Sequence, residues 1–493
     1  MAGVAGIFGK SADEQTLTGM LDMLSHRGPD TRKTRIEAEI AAGITAASLS
    51  PARGDGFARE DGVTVFIDGE IHNPRTDGLS DAEVVLRLFS RYGRAFPGHV
   101  EGPFVCALLD ERALQGAPTE LLLVRDSLGV RPLYWGTTSQ GSFCFASEMK
   151  ALGGVAAEMF ELHPGTTWSS ECGVSAYLVS HKEVALPQGF DETASLVRDT
   201  LTEAIRRRLE DGAVGACLLS GGLDSSIIAA VANEIRPGLP AVTVGLAGAP
   251  DLDNARLMAE HLGVEHLVSI FDREDVERMV PRAVRMLESF DEDCVSGAIS
   301  NLFGSELAAT RTNCILSGEG GDELFGGYHL LKDLATDVDR LEMMKRLIDI
   351  SYNTALQRLD RSMMANSITY RTPFLDSDVI TLACQLPVQW KISPRRGGFI
   401  EKHILREAFK DILPEQIYRR EKLRFAAGTG TDSITDQIAS GHVTQQEFRE
   451  ADKKTPAGYI IASPKEMWYY KLFKEALPSP YAEQLVGRWD PGK

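Results

Sequence analysis

The sequence predicts an α/β protein in two parts: antiparallel sheets packed on each other, then a parallel sheet covered by helices on both faces. Three observations predict it. Short β-rich runs separated by turns fill the first third. A long amphipathic helix follows near residue 190. Beyond it, strands alternate with helices, which is the pattern of a parallel sheet.

In the first third, "GVTVFIDGEIHN", "FVCALLD", "ELLLVRDSLG" and "GSFCFASE" are β-rich runs bounded by Gly, Asp and Asn. "DAEVVLRLFSRYG" has apolar residues at helical spacing and a closing Gly, and predicts the one helix read among these strands. The linker is expected in "LVSHKEVALPQGF", residues 178–190, dividing the chain into domains 1–185 and 190–493. "DETASLVRDTLTEAIRRRLEDG" then predicts a long helix with an acidic start and a Gly stop. Strand–loop–helix units follow at "VGACLLSGGLDSSIIAAVANEI", "AVTVGLAG" and "NCILSGEGGDELFGGY". No internal repeat is apparent.

Composition narrows the function. The 493 residues are 43% hydrophobic and 25% charged, as expected of soluble globular domains each able to bury a core. A formal charge of −18 argues against nucleic acid or an anionic membrane as partner, while leaving room for a small anionic substrate. No stretch reaches the roughly 18 consecutive apolar residues of a membrane span. The N-terminus does not read as a secretory signal. Seven scattered cysteines without a CxxC pair read as reduced and buried, in a cytoplasmic protein without a zinc or redox motif.

The strongest chemical signal is "LLSGGLDSSIIAA", which sets Ser220, Gly221, Gly222, Asp224, Ser225 and Ser226 between a strand and a helix. Glycines let backbone amides turn towards an anion, the helix start adds partial positive charge, and serine hydroxyls add donors. Without a GK[ST] ending it is not the loop of ordinary NTPases. It is similar to the pyrophosphate loop of enzymes that split ATP into AMP and pyrophosphate. A second loop, "ILSGEGGDELFGGY", carries Ser317, Glu319, Asp322 and Glu323 after another strand. Two loops at the carboxyl ends of parallel strands converge on one crevice, where Asp224 and Asp322 would hold magnesium against phosphate. Glu323 is expected to cap the helix that follows, and Asp322 is open to the same reading.

Together the motifs give the chain a close resemblance to glutamine-dependent asparagine synthetases and their relatives, the β-lactam synthetases, over nearly its full length. They are AGIFG at 5–9, HRGPD at 26–30, DGEIHN at 68–73, RDSLGVRPLYWG at 125–136 and FASEMKAL at 145–152, then SGGLDSS, SGEGGDELFGGY, YRTPFLD at 370–376, EKHILREAF at 401–409 and REKLRF at 420–425. The resemblance implies an N-terminal Ntn-hydrolase-like αββα sandwich and a C-terminal doubly wound, parallel-sheet ATP-pyrophosphatase synthetase domain. It implies ATP and Mg²⁺ as cofactors. Ser317, Gly318, Val244 and Leu246 join the SGGLDSS residues as nucleotide contacts.

The resemblance breaks in the first domain. The family's glutaminase nucleophile is an N-terminal cysteine in CGIFG; here Ala5 stands in that place, preceded by four further residues. A methyl group supplies neither the thiolate nor the free α-amine beside it. The Arg of a family HxRLSI run, partner of the glutamine carboxylate, falls on Ala46. The Asn of NGEIYN, an oxyanion donor, is Asp68, whose charge would repel the developing negative charge. The domain is therefore expected to be a retained scaffold.

The synthetase residues persist. Lys422 matches the family's catalytic lysine and would steady charge on the α-phosphate. Glu319 falls on the acid beside the acyl-adenylate and would take the proton of an attacking amine; β-lactam synthetases use a Tyr–Glu pair instead. The substrate-side run "ESFDEDCVSGAISN", residues 288–301, replaces a family run resembling ETYDVTTIRAST. Val295 and Ser296 fall near its Arg, so a cation for a dicarboxylic amino acid is expected to be missing, with Gly297 and Ala298 widening the pocket. Residues 288–301 and 426–445 are read as the loops that shape it.

The resulting expectation is an ATP-dependent amide synthetase of secondary metabolism. It adenylates a small-molecule carboxylate and passes it to ammonia or a small amine without using glutamine. Ring closure in the manner of β-lactam synthetases is one alternative and a silent scaffold or regulatory subunit is another; a homodimer is left open.

Overall fold

The computed structural model describes all residues except 1, 48–52, 74–77, 113–118, 180–183, 396–397 and 490–493. Of the expected linker 178–190, residues 180–183 lie outside the described residues.

Strands β1 (Ala2–Phe8), β2 (Thr31–Glu37), β3 (Ile40–Ala46), β4 (Phe57–Glu60), β5 (Val63–Gly69) and β6 (Phe104–Asp110) open the chain. β7 (Glu120–Arg125), β8 (Tyr134–Thr138), β9 (Phe143–Ala146), β10 (Ala156–Glu161), β11 (Thr166–Ser169) and β12 (Gly173–Ala176) complete the first half. They form two antiparallel sheets, ordered β10-β8-β9-β1-β3-β2 and β12-β11-β7-β6-β5-β4. Val4, Ile44, Phe66, Val105, Leu123 and Phe145 fill the space between the sheets. On the outer faces lie the helices Glu14–Met23 and Asp81–Tyr92, completing an αββα sandwich. The second starts on a capping box, with Ser80 accepting from the Glu83 amide and Glu83 from the Ser80 amide. The first was not read from the sequence.

In the second half, β13 (Ala216–Leu218), β14 (Ala241–Leu246), β15 (His266–Phe271), β16 (Cys314–Leu316) and β17 (Thr369–Arg371) pair in parallel in the order β15-β14-β13-β16-β17. Phe190–Leu209, Leu223–Ile235 and Pro250–Leu262 contribute to one apolar cluster. The helices Arg273–Leu287, Glu292–Ala309 and Ala355–Met364 cover the other face. The chain leaves β13 for β14 on one side and reaches β16 on the other, so the order reverses between β13 and β16. Ligand sites in such sheets lie at that switch point.

Two expectations need correction. The segments 288–301 and 426–445 are largely helical, in Glu292–Ala309, Phe425–Gly428 and Thr431–His442. Asp291 caps the first of these by accepting from the Cys294 amide. All seven cysteines are free, but only five are buried; Cys172 and Cys384 are exposed.

A buried charge network joins the halves. Asp360, on the helix Ala355–Met364, accepts from Arg27 at 2.7 Å and from Arg131 at 2.9 Å. Arg27 also binds Asp68 and Glu148, each at 2.8 Å, and Arg361 reaches Glu148 at 2.9 Å and Glu288 at 3.0 Å. These charges lie out of solvent, and each is stable there only because it is paired. Nearby, Arg371 of YRTPFLD grips Glu70 of DGEIHN with two bonds of 2.9 Å. Asp360→Ala would leave buried Arg131 without its carboxylate partner and take one of three from Arg27, and is expected to cost about 3–5 kcal/mol of stability. Urea denaturation checks it; a loss below about 1 kcal/mol would show that the Asp360 pairs do not stabilise the fold.

Candidate active site

The loop after β13 enters the helix Leu223–Ile235 with Gly222 as an N-cap that offers no side-chain bond. The first-turn amides are thus left for another acceptor. Ser220 and Ser225 hydroxyls lie 3.1 Å apart, and Ser220 Oγ accepts from the Gly222 amide. The loop after β16 presses against this one. A Cβ on Gly318 would meet the Ser225 nitrogen at 2.8 Å, and one on Gly321 would meet Asp224 Oδ1 at 2.7 Å. Only glycine permits that approach.

The approach brings Asp224 and Asp322 to one point, the Lys402 Nζ. Lys402 pairs with Asp224 and, at 2.5 Å, with Asp322; Lys422 binds the other Asp322 oxygen at 2.5 Å. Burial would raise the Asp322 pKa, but Lys402 and Lys422 hold it well below the usual carboxylate range. Burial disfavours the Lys422 charge, yet Asp322 and Asp224 hold its pKa above the ordinary value. Neither Asp322 nor Glu323 caps the helix Gly321–Phe325, because one is drawn to the lysines and the other is buried against Tyr328, whose hydroxyl donates to it. Burial, with Glu319 and Asp322 nearby, pushes Glu323 up to about 7.

Lys402 is the residue that motif reading missed. It stands inside EKHILREAF, which enters the sequence reading only as a family motif, yet it is 1% exposed and left-handed, with φ 54°. Such a conformation costs of order 1 kcal/mol, as found where function fixes a residue. Arg420, bound to Asp251 and to the Ser220 carbonyl, adds a third cation beside the loop. Two converging carboxylates fit a magnesium ion that takes its remaining ligands from phosphate and water. Asp224 Oδ1 fits as well, being buried without a hydrogen-bond partner among the described residues.

One cavity holds much of the expected set: Ser220, Asp224, Ser225, Val244, Ser317 and Gly318 line it, together with Glu319, Asp322 and Lys422. Gly222 faces an adjoining pocket with Lys402 and Arg420. Gly221 packs on the helix Pro250–Leu262, where a Cβ would meet the Ala255 nitrogen at 2.5 Å. Ser226 is buried off the cavity, and Leu246 packs on Gly430, so neither side chain reaches it. Beside Val244 the cavity wall leaves a slot at Gly304, where a Cβ would meet only Leu218 and Val244, at 3.9 Å.

On the substrate side, the room expected at Gly297 is filled by Arg358, whose Cδ would lie 2.8 Å from a Cβ there. A cation is therefore present, from a different helix, but it is bound to Glu319 at 3.0 Å. Burial raises the Glu319 pKa and Arg358 only partly opposes it, which makes this carboxylate a better proton acceptor.

Ala5, at the family's nucleophile position, stands inside a strand and not at its start. It is the fourth residue of β1, fully buried in the same apolar cluster as Leu17 and Leu21 of the first helix. Ala2 pairs with Ala46 in the β1–β3 register. Asp68 is not a bare repelling charge, since it accepts from the Ala2 amide at 2.9 Å and from Arg27 at 2.8 Å.

An asparagine synthase model matches residues 196–351 and 337–484, and a glutamine amidotransferase domain model matches residues 1–167. The chain is 29% identical over 525 residues to glutamine-hydrolyzing asparagine synthetase 3 of Arabidopsis thaliana, covering 99% of this chain and 89% of that one. It is 32% identical over 439 residues to glutamine-hydrolyzing asparagine synthetase B of Escherichia coli, covering 83% and 76%.

Lys402→Met is expected to lower ATP–pyrophosphate exchange by roughly 10²-fold or more, as loss of one preorganised charge does. Asp224→Ala and Asp322→Ala should abolish exchange. Near-normal exchange in any of the three would mean that the crevice is misassigned.

Proposed function

We propose that this chain, which belongs to the asparagine synthase family and carries an N-terminal glutamine amidotransferase domain, is an ATP-dependent amide ligase that does not hydrolyse glutamine. The observation that carries the ligase reading is the convergence of Asp224, Asp322, Lys402 and Lys422 where the loops after β13 and β16 meet. The domains are divided at 1–185 and 190–493, and the product is assigned to secondary metabolism because the substrate wall departs from the pattern of the asparagine-forming relatives.

In this reading the adenine enters the slot at Val244 and Gly304, and the phosphates lie on the amides and hydroxyls of 220–225. Magnesium, when bound with ATP, would be held by Asp224 and Asp322 and would neutralise phosphate charge. An oxygen of the acid attacks the α-phosphorus, and pyrophosphate leaves into the pocket of Lys402 and Arg420. Lys422 steadies the α-phosphate as charge builds on it. An amine nitrogen then attacks the acyl carbon, Glu319 takes its proton, and the carbon–oxygen bond to AMP breaks. Holding amine and acyl-adenylate side by side makes this step nearly unimolecular.

Loss of glutaminase activity is supported by the residues before Ala5. They continue β1 across the place a free N-terminal nucleophile would need, and Ala2 occupies both the Ala46 register and the Asp68 carboxylate. Removing a nucleophile alone costs about a millionfold in a serine protease. A second reading, ring closure, is favoured by the Tyr328–Glu323 hydrogen bond at the cavity wall, a Tyr–Glu pair able to relay a proton from the substrate's own amine.

Glutamine should not support turnover, whereas ammonia or a free amine should; glutamate release matching AMP formation would sink the claim. In Glu319→Gln, exchange should survive while product falls by roughly 10²–10⁴-fold, as for a lost general base. Because the Glu319 pKa is raised, product formation in the parent enzyme should fall with acidification at a higher pH than an ordinary carboxylate would give, and the variant should lose that limb. Product mass separates an intermolecular amide from a lactam. Parallel loss of exchange and product would remove Glu319 from the role of base.

A further inference from the structure

We propose that residues 485–489 form the outer wall of the acid pocket and select a carboxylic acid carrying an aryl or heteroaryl group over a small dicarboxylic amino acid. The inference rests on the ligase reading above, and names the substrate class that site would take.

The segment is anchored along its length. Val486 is 3% exposed. Gly487 crosses so close to Asn353 that a Cβ would fall 1.9 Å from its carbonyl oxygen, so only glycine passes. Arg488 pairs with Glu466 and, at 3.6 Å, with Asp291, while its guanidinium lies 5.2 Å over Phe290 and 5.5 Å over Tyr459. The Trp489 amide donates to Asp291 at 2.9 Å. Asp291 is also the cap of the helix that carries Asp293 and Cys294 into the cavity. One carboxylate thus fixes both the segment and the pocket's inner wall. The stretch lies past residue 484, where the family match stops.

The anchoring delivers the Trp489 indole to Tyr328, with ring centroids 5.1 Å apart and planes tilted by 39°. Both rings line the cavity that holds Glu319 and Arg358, and the Tyr328 ring is fixed by its bond to Glu323. Ala355, Leu359 and Met363 supply the facing apolar wall from the helix Ala355–Met364. Rigid aromatic faces beside aliphatic groups suit a flat apolar body, held by offset or edge contacts.

A second substrate carboxylate is poorly served. Lys422 is bound to Asp322, Arg358 to Glu319, and Arg424 to Asp293 and Asp432. To engage one of these cations, the extra carboxylate would have to displace an acid already in place. It would also face Asp293 and Glu319. Aspartate needs such a cation; a phenyl group does not.

The test measures exchange kinetics and calorimetric binding in the presence of ATP, using phenylacetate, L-phenylalanine and L-aspartate. The parent enzyme, Trp489→Ala and Trp489→Phe are compared, with thermal melts to establish folding. At least one aryl acid should outcompete aspartate in the parent. Trp489→Ala should raise that acid's KM and Kd about tenfold with ATP KM unchanged, and Trp489→Phe should recover most of the loss. Aspartate preference in the parent, or an alanine variant within about twofold for the aryl acid, would overturn the proposal. Aryl-acid binding that depends on Trp489 without exchange for any acid would instead overturn the ligase reading and leave the pocket assignment standing.

Discussion

The structure turns on Asp360. This buried carboxylate receives Arg27 and Arg131 from the first half and Tyr370 from its own, and burial is tolerable only because every charge around it is paired. Its helix also carries Arg358, the partner of Glu319, and the apolar side chains of the acid pocket. Arg361 on the same helix ties Glu148 to Glu288, and Glu288 in turn accepts from the Met149 and Lys150 amides. A wall of the synthetase pocket is therefore built on the amidotransferase-like half. On the proposed function, that gives a physical reason for keeping a domain whose own chemistry has gone: removing it would strand charges next to the working site.

A second constraint is the contact of two glycine-rich loops. With no side chain at Gly318 or Gly321, the loop after β16 lies directly on the loop after β13, and Asp224 and Asp322 come to share Lys402. Two acids and two lysines in a buried crevice neutralise one another, and the same charges can be redistributed when phosphate arrives. The overall charge of −18 is no obstacle, because the cations are concentrated where the anion must sit.

The architecture was legible where periodicity and punctuation agree. Strands β5, β6, β7 and β9, the long helix and the parallel strands β13, β14 and β16 were announced by alternating or apolar runs with turn residues between them, whereas β15 and β17 were not read. The crevice was legible because SGGLDSS and SGEGGDE each follow a strand. Lys402 was not, because a charge at a helix start carries no periodic signal and its burial depends on Gly327 and Asp322 lying over it. Arg358 was not, because the cation was sought at Val295 and Ser296 and taken as missing, and only packing at Gly297 reveals one arriving from another helix. Substrate-wall segments read as loops proved helical, and in 288–301 the Asp291 cap and buried Ile299 and Leu302 set the helix.

The central claim is that a carboxylate is activated as its adenylate in the crevice of Asp224 and Asp322, and then meets an amine that did not come from glutamine. The most direct measurement supplies the acid with ¹⁸O in its carboxylate, together with ATP and a free amine, and follows the label by mass spectrometry. The account predicts one ¹⁸O in the phosphate of AMP for each amide formed. Label in inorganic phosphate with ADP as co-product, or amide formed with unlabelled AMP, would contradict it.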